Sequence, residues 1–211
     1  MNEFWVSVGW RVREFLLPER KADLLFVLIG RAVVLAALAA YGAWFHLATM
    51  LELGETYKFI HSVNLPFHEA GHVIFGFLGS DFLRVLGGTL GQLLMPLVLC
   101  VAFRWKNRDA FAAALALWWF GQNLVDCAPY INDARLLQLT LISGSTGAEV
   151  EGHDWEYILT ELGWLNRDVY LARWVLRGGR WIMALALVWA AVVLAAQFRA
   201  QWATKEPGAE K

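Results

Sequence analysis

The run GGRWIMALALVWAAVVLAAQF, residues 178–198, restricts the fold more than any other feature of the chain. It carries one charge, Arg180, near its start. A segment of about 20 apolar residues matches the ~30 Å hydrocarbon core of a bilayer. In lipid its backbone polar groups have no water to bond, so it must be a helix. Similar runs cover residues 24–51, 87–103 and 110–131. Apolar residues make up 58% of the chain and mean hydropathy is +0.45, against about 45–50% apolar in soluble domains. The expectation is an all-α polytopic transmembrane protein with about four to six membrane segments. A net charge of -1 and the lack of a basic stripe with interleaved aromatics exclude a nucleic-acid partner. Cys100 and Cys127 both sit in apolar runs and read as buried thiols rather than a disulfide. No cleavable signal is evident, because the first apolar run follows a charged stretch and is long enough to stay in the membrane.

The order of segments divides the chain. Residues 1–23 read as an amphipathic, interfacial segment with two tryptophans. Residues 24–142 form the membrane domain, 143–179 an extramembrane segment with one amphipathic helix near 155–165, 180–200 the last transmembrane helix and 201–211 a polar tail. Arg31, inside the first span, can snorkel to the headgroups. The loop RWKNRD, with Arg104, Lys106 and Arg108, carries the strongest positive-inside signal and is expected in the cytoplasm. Simple alternation then puts the N-terminus and the 143–177 segment together on the outside. A re-entrant segment around HEAGH would overturn that count.

NLPFHEAGHVIFGF, residues 64–77, places ionisable groups in this apolar setting. On a helix His68 and His72, four apart, share a face and can reach one metal ion. Glu69 lies about a quarter turn away, beside the metal. Zinc lowers the pKa of a bound water toward ~7, and a carboxylate there can take its proton and return it to a leaving amine. A charged trio in a membrane segment is costly and implies a role. The plainer reading is a hydrogen-bonded polar patch between helices. Di-iron sites fit poorly. His46, His61 and His153 are too few for histidine-box enzymes, and Glu69/His72 has no second Glu-x-x-His copy. Asn64 can cap the helix and Pro66 fits its first turn. A kinked span starting near residue 57 is the other possibility.

Catalytic zinc takes three protein ligands and a water. The third lies downstream, in NLVDCAPYINDAR (Asp126, Asp133) or GHDWEY (His153, Asp154). Asp133 is the first choice, ahead of Asp126 and His153. One aspartate can bind metal while the other orients a histidine. The plain readings are a helix cap or an Arg135 ion pair for Asp133, and an N-cap for GHDW. Pro129 makes an unbroken helix between the two aspartates doubtful.

FHEAGHVIFGF, GGTLGQLLMP and NLVDCAPYINDAR together resemble the site-2 protease (M50) type of intramembrane zinc metalloprotease, over about a third of the chain. The resemblance implies His68, His72 and Asp133 as zinc ligands and Glu69 as the base. It implies Asn123 as the residue that holds the substrate strand. Asp133 is followed by alanine where the family has glycine, and Asp126 stands where proline is frequent, so the likeness is to a small, divergent branch. Asp126 and His153 are the further second-shell candidates.

Gln92 and Gln122 read as interhelical hydrogen-bonders, His46 and His61 as interfacial, and the tryptophans as interface anchors or packing. The resulting expectation is a zinc metalloendopeptidase acting on membrane-protein or peptide substrates in or near the bilayer of a bacterial inner membrane. The alternative is a non-proteolytic protein whose zinc is a structural clip or a partner-helix site. A zinc hydrolase of lipids or small amides is a third.

Overall fold

A computed structural model describes residues 16–17, 24–56, 59–141 and 144–203. The interfacial segment expected over 1–23 and most of the 201–211 tail lie outside those residues. The rest is helical: α1 (Leu25–Leu47), α2 (Met50–Glu55), α3 (Phe59–Gly76), α4 (Asp81–Trp105), α5 (Ala110–Asn132), α6 (Asp154–Glu161) and α7 (Asp168–Ala203). Among the described residues the only β pairing is one isolated bridge, Thr140 with Thr146.

α1, α4 and the Leu165–Trp202 stretch are long and apolar enough to cross a membrane. Their outward faces carry bare apolar side chains, among them Phe26, Val33, Val98, Trp181 and Leu185. A surface of that kind needs lipid rather than water. This is the architecture of an integral membrane protein. α5, in contrast, is buried along most of its length and forms the centre of the bundle. It continues through Pro129 to Asn132, so the proline ends no helix here. α7 begins at Asp168, twelve residues before the expected 180 (180 − 168). Its 36 residues span about 54 Å, so its first turns project beyond the apolar layer.

Lipid tails give apolar helices little reason to associate, so close backbone contact and buried polar bonds must hold the bundle. Gly71 on α3 faces Gly87 and Gly91 on α4 so closely that a Cβ on Gly71 would meet the Gly87 carbonyl. Gly121 on α5 and Gly179 on α7 repeat the device, with a Cβ on Gly179 falling 2.6 Å from the Gly121 oxygen. Arg180 donates from Nε to the Phe45 carbonyl at 2.9 Å and from Nη2 to the Ala48 carbonyl, tying the end of α1 to α7.

The ends of the bundle can be assigned from these contacts. Leu28 near the start of α1 packs with Ala110, Phe111, Val193 and Leu194, and Arg31 pairs with Asp109 at 3.0 Å. The start of α1, the basic loop and the C-terminal half of α7 therefore share one end. The end of α1 and the start of α4 share the other. α2 and α3 join those two points. The start of α1 and the Asp154 segment lie at opposite ends of the bundle.

Candidate metal centre

α3 is one continuous helix with Asn64 and Pro66 inside it rather than at its start. Asn64 is buried, and its Oδ1 accepts the Trp119 indole N–H at 2.8 Å. An indole nitrogen can only donate, so the Asn64 amide must turn its Nδ2 the other way. That Nδ2 donates to Gln122 Oε1 at 3.0 Å and to Asp126 Oδ2 at 3.1 Å. These bonds draw α3 onto α5 and set the face that carries the histidines.

Each histidine of HEAGH has its outer ring nitrogen engaged. His72 Nδ1 lies 2.9 Å from the Arg84 carbonyl. A carbonyl only accepts, so Nδ1 holds the proton and Nε2 presents its lone pair when the ring is neutral. His68 Nδ1 lies 3.2 Å from Gln92 Oε1. Asp126 sets that amide's orientation, because its Oδ2 takes Gln92 Nε2 at 3.2 Å. Asp126 thus fixes His68 through one intervening amide. Both Nε2 atoms then point to the same place, where Gly88 of α4 has no side chain. A Cβ at Gly88 would fall 2.5 Å from His72 Nε2 and 2.6 Å from His68 Nε2.

The third group at that place is Asp154. Its Oδ2 stands 2.9 Å from His68 Nε2 and 3.3 Å from His72 Nε2. Burial alone would push the Asp154 carboxyl up, but the hydrogen bonds to His68 and His72 outweigh it and hold the carboxyl below its usual range. Asp154 is the first residue of α6, and three contacts dock it. Its N–H donates to the Tyr130 hydroxyl at 2.9 Å. The Tyr130 and His153 rings pack with centroids 4.2 Å apart. His153 caps α6 by accepting the Glu156 N–H on Nδ1 at 3.1 Å, and its Nε2 lies 3.5 Å from Asp133 Oδ2.

The donor set suits zinc. Two imidazole nitrogens and one carboxylate oxygen lie within 4.8 Å of one another, a mixture that a hard, all-oxygen cation such as calcium would not select. Tetrahedral zinc bonds of ~2.0–2.1 Å hold ligand atoms about 3.3 Å apart, against the 2.9 and 3.3 Å seen here. The Nδ1 contacts supply the outer-shell orientation that metal-binding histidines require.

Glu69 lines the same cavity as His68, His72 and Asp154, a space of about 690 Å³. Its side chain has no hydrogen bond to another described residue, and Glu69 is exposed. A free carboxylate one residue from a ligand histidine can accept a proton from a water at the triad.

The other residues singled out in the sequence fall as follows. Asp133, the first choice for third ligand, is not in the cluster. Its Oδ1 and Oδ2 accept the Gln138 and Leu139 N–H groups at 3.0 and 2.9 Å, pinning the turn after α5. Arg135 pairs with Asp168 instead, at 2.8 Å. Asp126 and His153 stand behind the triad rather than in it. Asn123 is fully buried, donates to the Trp119 carbonyl on its own helix and is not part of the cavity wall. Asn64 is the asparagine that reaches the cavity. His61 is not simply interfacial, since its Nδ1 meets Asp126 Oδ2 at 2.8 Å. Gln92 does bond between helices, as expected. Cys100 and Cys127 are free thiols. Tyr130 and Gly88 carried no sequence signal beyond a tyrosine beside proline and a glycine in a glycine-rich run. Comparison with protein-family models, with curated proteins and with solved structures finds no match to this chain.

Proposed function

We propose that this protein is a membrane-embedded zinc metalloprotease of site-2 protease type, with His68, His72 and Asp154 as ligands and Glu69 as general base. The observation that carries the reading is the convergence of three donor atoms on the wall of a cavity that Glu69 also lines. Zinc bound there would supply a Lewis acid and lower the pKa of a coordinated water toward ~7. Glu69 takes the proton of the attacking water on its carboxylate and delivers it to the leaving amine. Gln92 and the Arg84 carbonyl keep the two imidazoles in the tautomer that offers Nε2. The third ligand in this reading, Asp154, differs from Asp133, the one that the family resemblance implies.

The bilayer arrangement that fits has four crossings, α1, α4, α5 and α7, with α3 re-entrant. The positive-inside rule puts the Arg104–Lys106–Arg108 loop, the start of α1 and the end of α7 on the cytoplasmic side, and the cavity toward the opposite side of a bacterial inner membrane. A membrane-protein or peptide substrate would present an unwound segment there, because intact helices keep their carbonyls bonded. A structural zinc clip would need a closed shell, with one further protein ligand beside His68, His72 and Asp154. Among the described residues neither Asp133 nor His153 joins that cluster or lines the cavity, which favours an open position and a catalytic role.

The test is metal content and peptide cleavage of the purified protein in detergent, wild type against Glu69→Gln and His68→Ala. About one zinc per chain, with cleavage lost in both variants and zinc lost only in His68→Ala, is the expected result. A folded wild type that takes up no zinc overturns the reading.

A further inference from the structure

The charges along the cavity wall are one-sided. Five carboxylates line it, Glu55, Glu69, Asp126, Glu151 and Asp154, and among the described residues no lysine or arginine does. Three of the five are accounted for. Asp154 meets the two histidines, Glu69 stands beside them as the base, and Asp126 takes His61, Asn64 and Gln92. Glu55 and Glu151 remain. They come from different elements, the last turn of α2 and the loop before α6. Both are exposed, and neither has a hydrogen bond or ion pair to another described residue. The same wall carries the apolar side chains of Leu53, Leu139, Leu141 and Val150. Two unopposed negative charges over an apolar wall complement a ligand with an apolar body and a positive group.

We propose that the substrate carries a cationic nitrogen, ammonium or guanidinium, close to the bond that is cut, and that Glu55 and Glu151 select it. This inference rests on the metal-hydrolase reading and names the substrate class of that site. The positive group has two possible sources, a lysine or arginine side chain or a free amino terminus. Both carboxylates are exposed to solvent, so each contact is modest and screened by salt.

The experiment uses the full chain in detergent, loaded with cobalt(II), whose visible spectrum reports a ligand entering the metal's coordination sphere. The probes are leucine-based peptide hydroxamates with lysine, norleucine or glutamate at one flanking position, each with a free or an acetylated amino terminus. Titration at low salt is expected to show the lysine probe binding roughly three- to tenfold tighter than norleucine, with glutamate weakest. The preference should vanish in the Glu55→Gln/Glu151→Gln double variant and shrink in 0.5 M salt. If a free amino terminus alone gives the gain, the amine source is the terminus. Equal affinities for the three probes with the terminus free or acetylated alike, or a preference that survives the double substitution, overturn this inference while leaving the metal site intact. A cobalt spectrum that no hydroxamate perturbs overturns the metal-hydrolase reading and this inference with it.

Discussion

Asp154 Oδ2 stands 2.9 Å from His68 Nε2, although 86 residues separate them in the chain. A carboxylate at the start of α6 thus joins a pair of histidines on α3. Asp154→Ala should remove stoichiometric zinc. Asp133→Ala should retain it, with affinity lowered only as far as the His153 contact and the 137–139 turn loosen. Metal analysis of the two folded variants decides the point. Zinc lost in Asp133→Ala and kept in Asp154→Ala would restore the ligand set that the family resemblance implies.

Glu69 makes no hydrogen bond to another described residue, so its removal should separate chemistry from binding. Glu69→Gln keeps shape and volume and removes the proton acceptor. We expect zinc content and thermal stability within error of wild type, and peptide cleavage reduced by about 10²–10⁴-fold, the usual worth of a positioned acid–base group. A drop in zinc content would mean that Glu69 is a ligand rather than a base.

Gly88 and Gly71 both permit close approach, but to different partners. A methyl at Gly88 would fall on the two Nε2 atoms, whereas one at Gly71 would strike the Gly87 backbone. Gly88→Ala should therefore fold and bind zinc poorly. Gly71→Ala should weaken the whole α3–α4 contact and lower the melting temperature. Gly30→Ala has nothing within 4 Å of the added carbon and serves as the neutral control. Equal zinc content in all three would refute the idea that Gly88 makes room for the metal.

The Asp126–Gln92–His68 chain predicts a non-additive pair. Asp126→Leu removes the acceptor that fixes the Gln92 amide, and Gln92→Leu removes the acceptor of His68 Nδ1. Each should weaken zinc binding about 10–100-fold, the usual effect of losing an outer-shell partner. Because both act through one ring orientation, the double variant should lose little more than the worse single one. Chelator competition gives the affinities, and full additivity would show that the two act separately.

Much of this site was legible because local rules govern it. His68, Glu69 and His72 are related by helical spacing, and the apolar runs state their own membrane lengths. The carboxylate that meets the two histidines was not legible, for a physical reason. Asp126, Asp133, His153 and Asp154 offer similar chemistry, and the choice among them depends on how the segment after α5 folds back. That fold depends on Tyr130, on a cap by His153 and on a carboxylate at 133 spent on two backbone N–H groups. None of these leaves a periodic trace. The start of α3 at Phe59 was hidden for a related reason, since Asn64 and Pro66 look like a helix start. Asn64 lies inside the helix because Trp119, Gln122 and Asp126 satisfy its amide across the bundle.

If the metal joins α3 to α6, its removal should free α6 before the rest of the bundle. Without it, α6 keeps the Tyr130 hydroxyl bond, the His153 ring contact, the cap and the packing of Trp155, Ile158 and Leu159, a smaller set of ties than joins α5 to α7. α5 and α7 remain locked through Gly121, Gly179 and the cluster around Trp118 and Met183. Hydrogen exchange with and without chelator should show protection lost over residues 153–161 and unchanged over 113–128. Tyr130→Phe, which deletes the acceptor of the Asp154 N–H, should exchange faster at 153–161 even with zinc present, and bind zinc more weakly. Metal binding and local order are linked whenever a ligand must be positioned to bind. Uniform protection in the chelated protein would mean that α6 is docked by its protein contacts alone, and that zinc enters a site already closed around it.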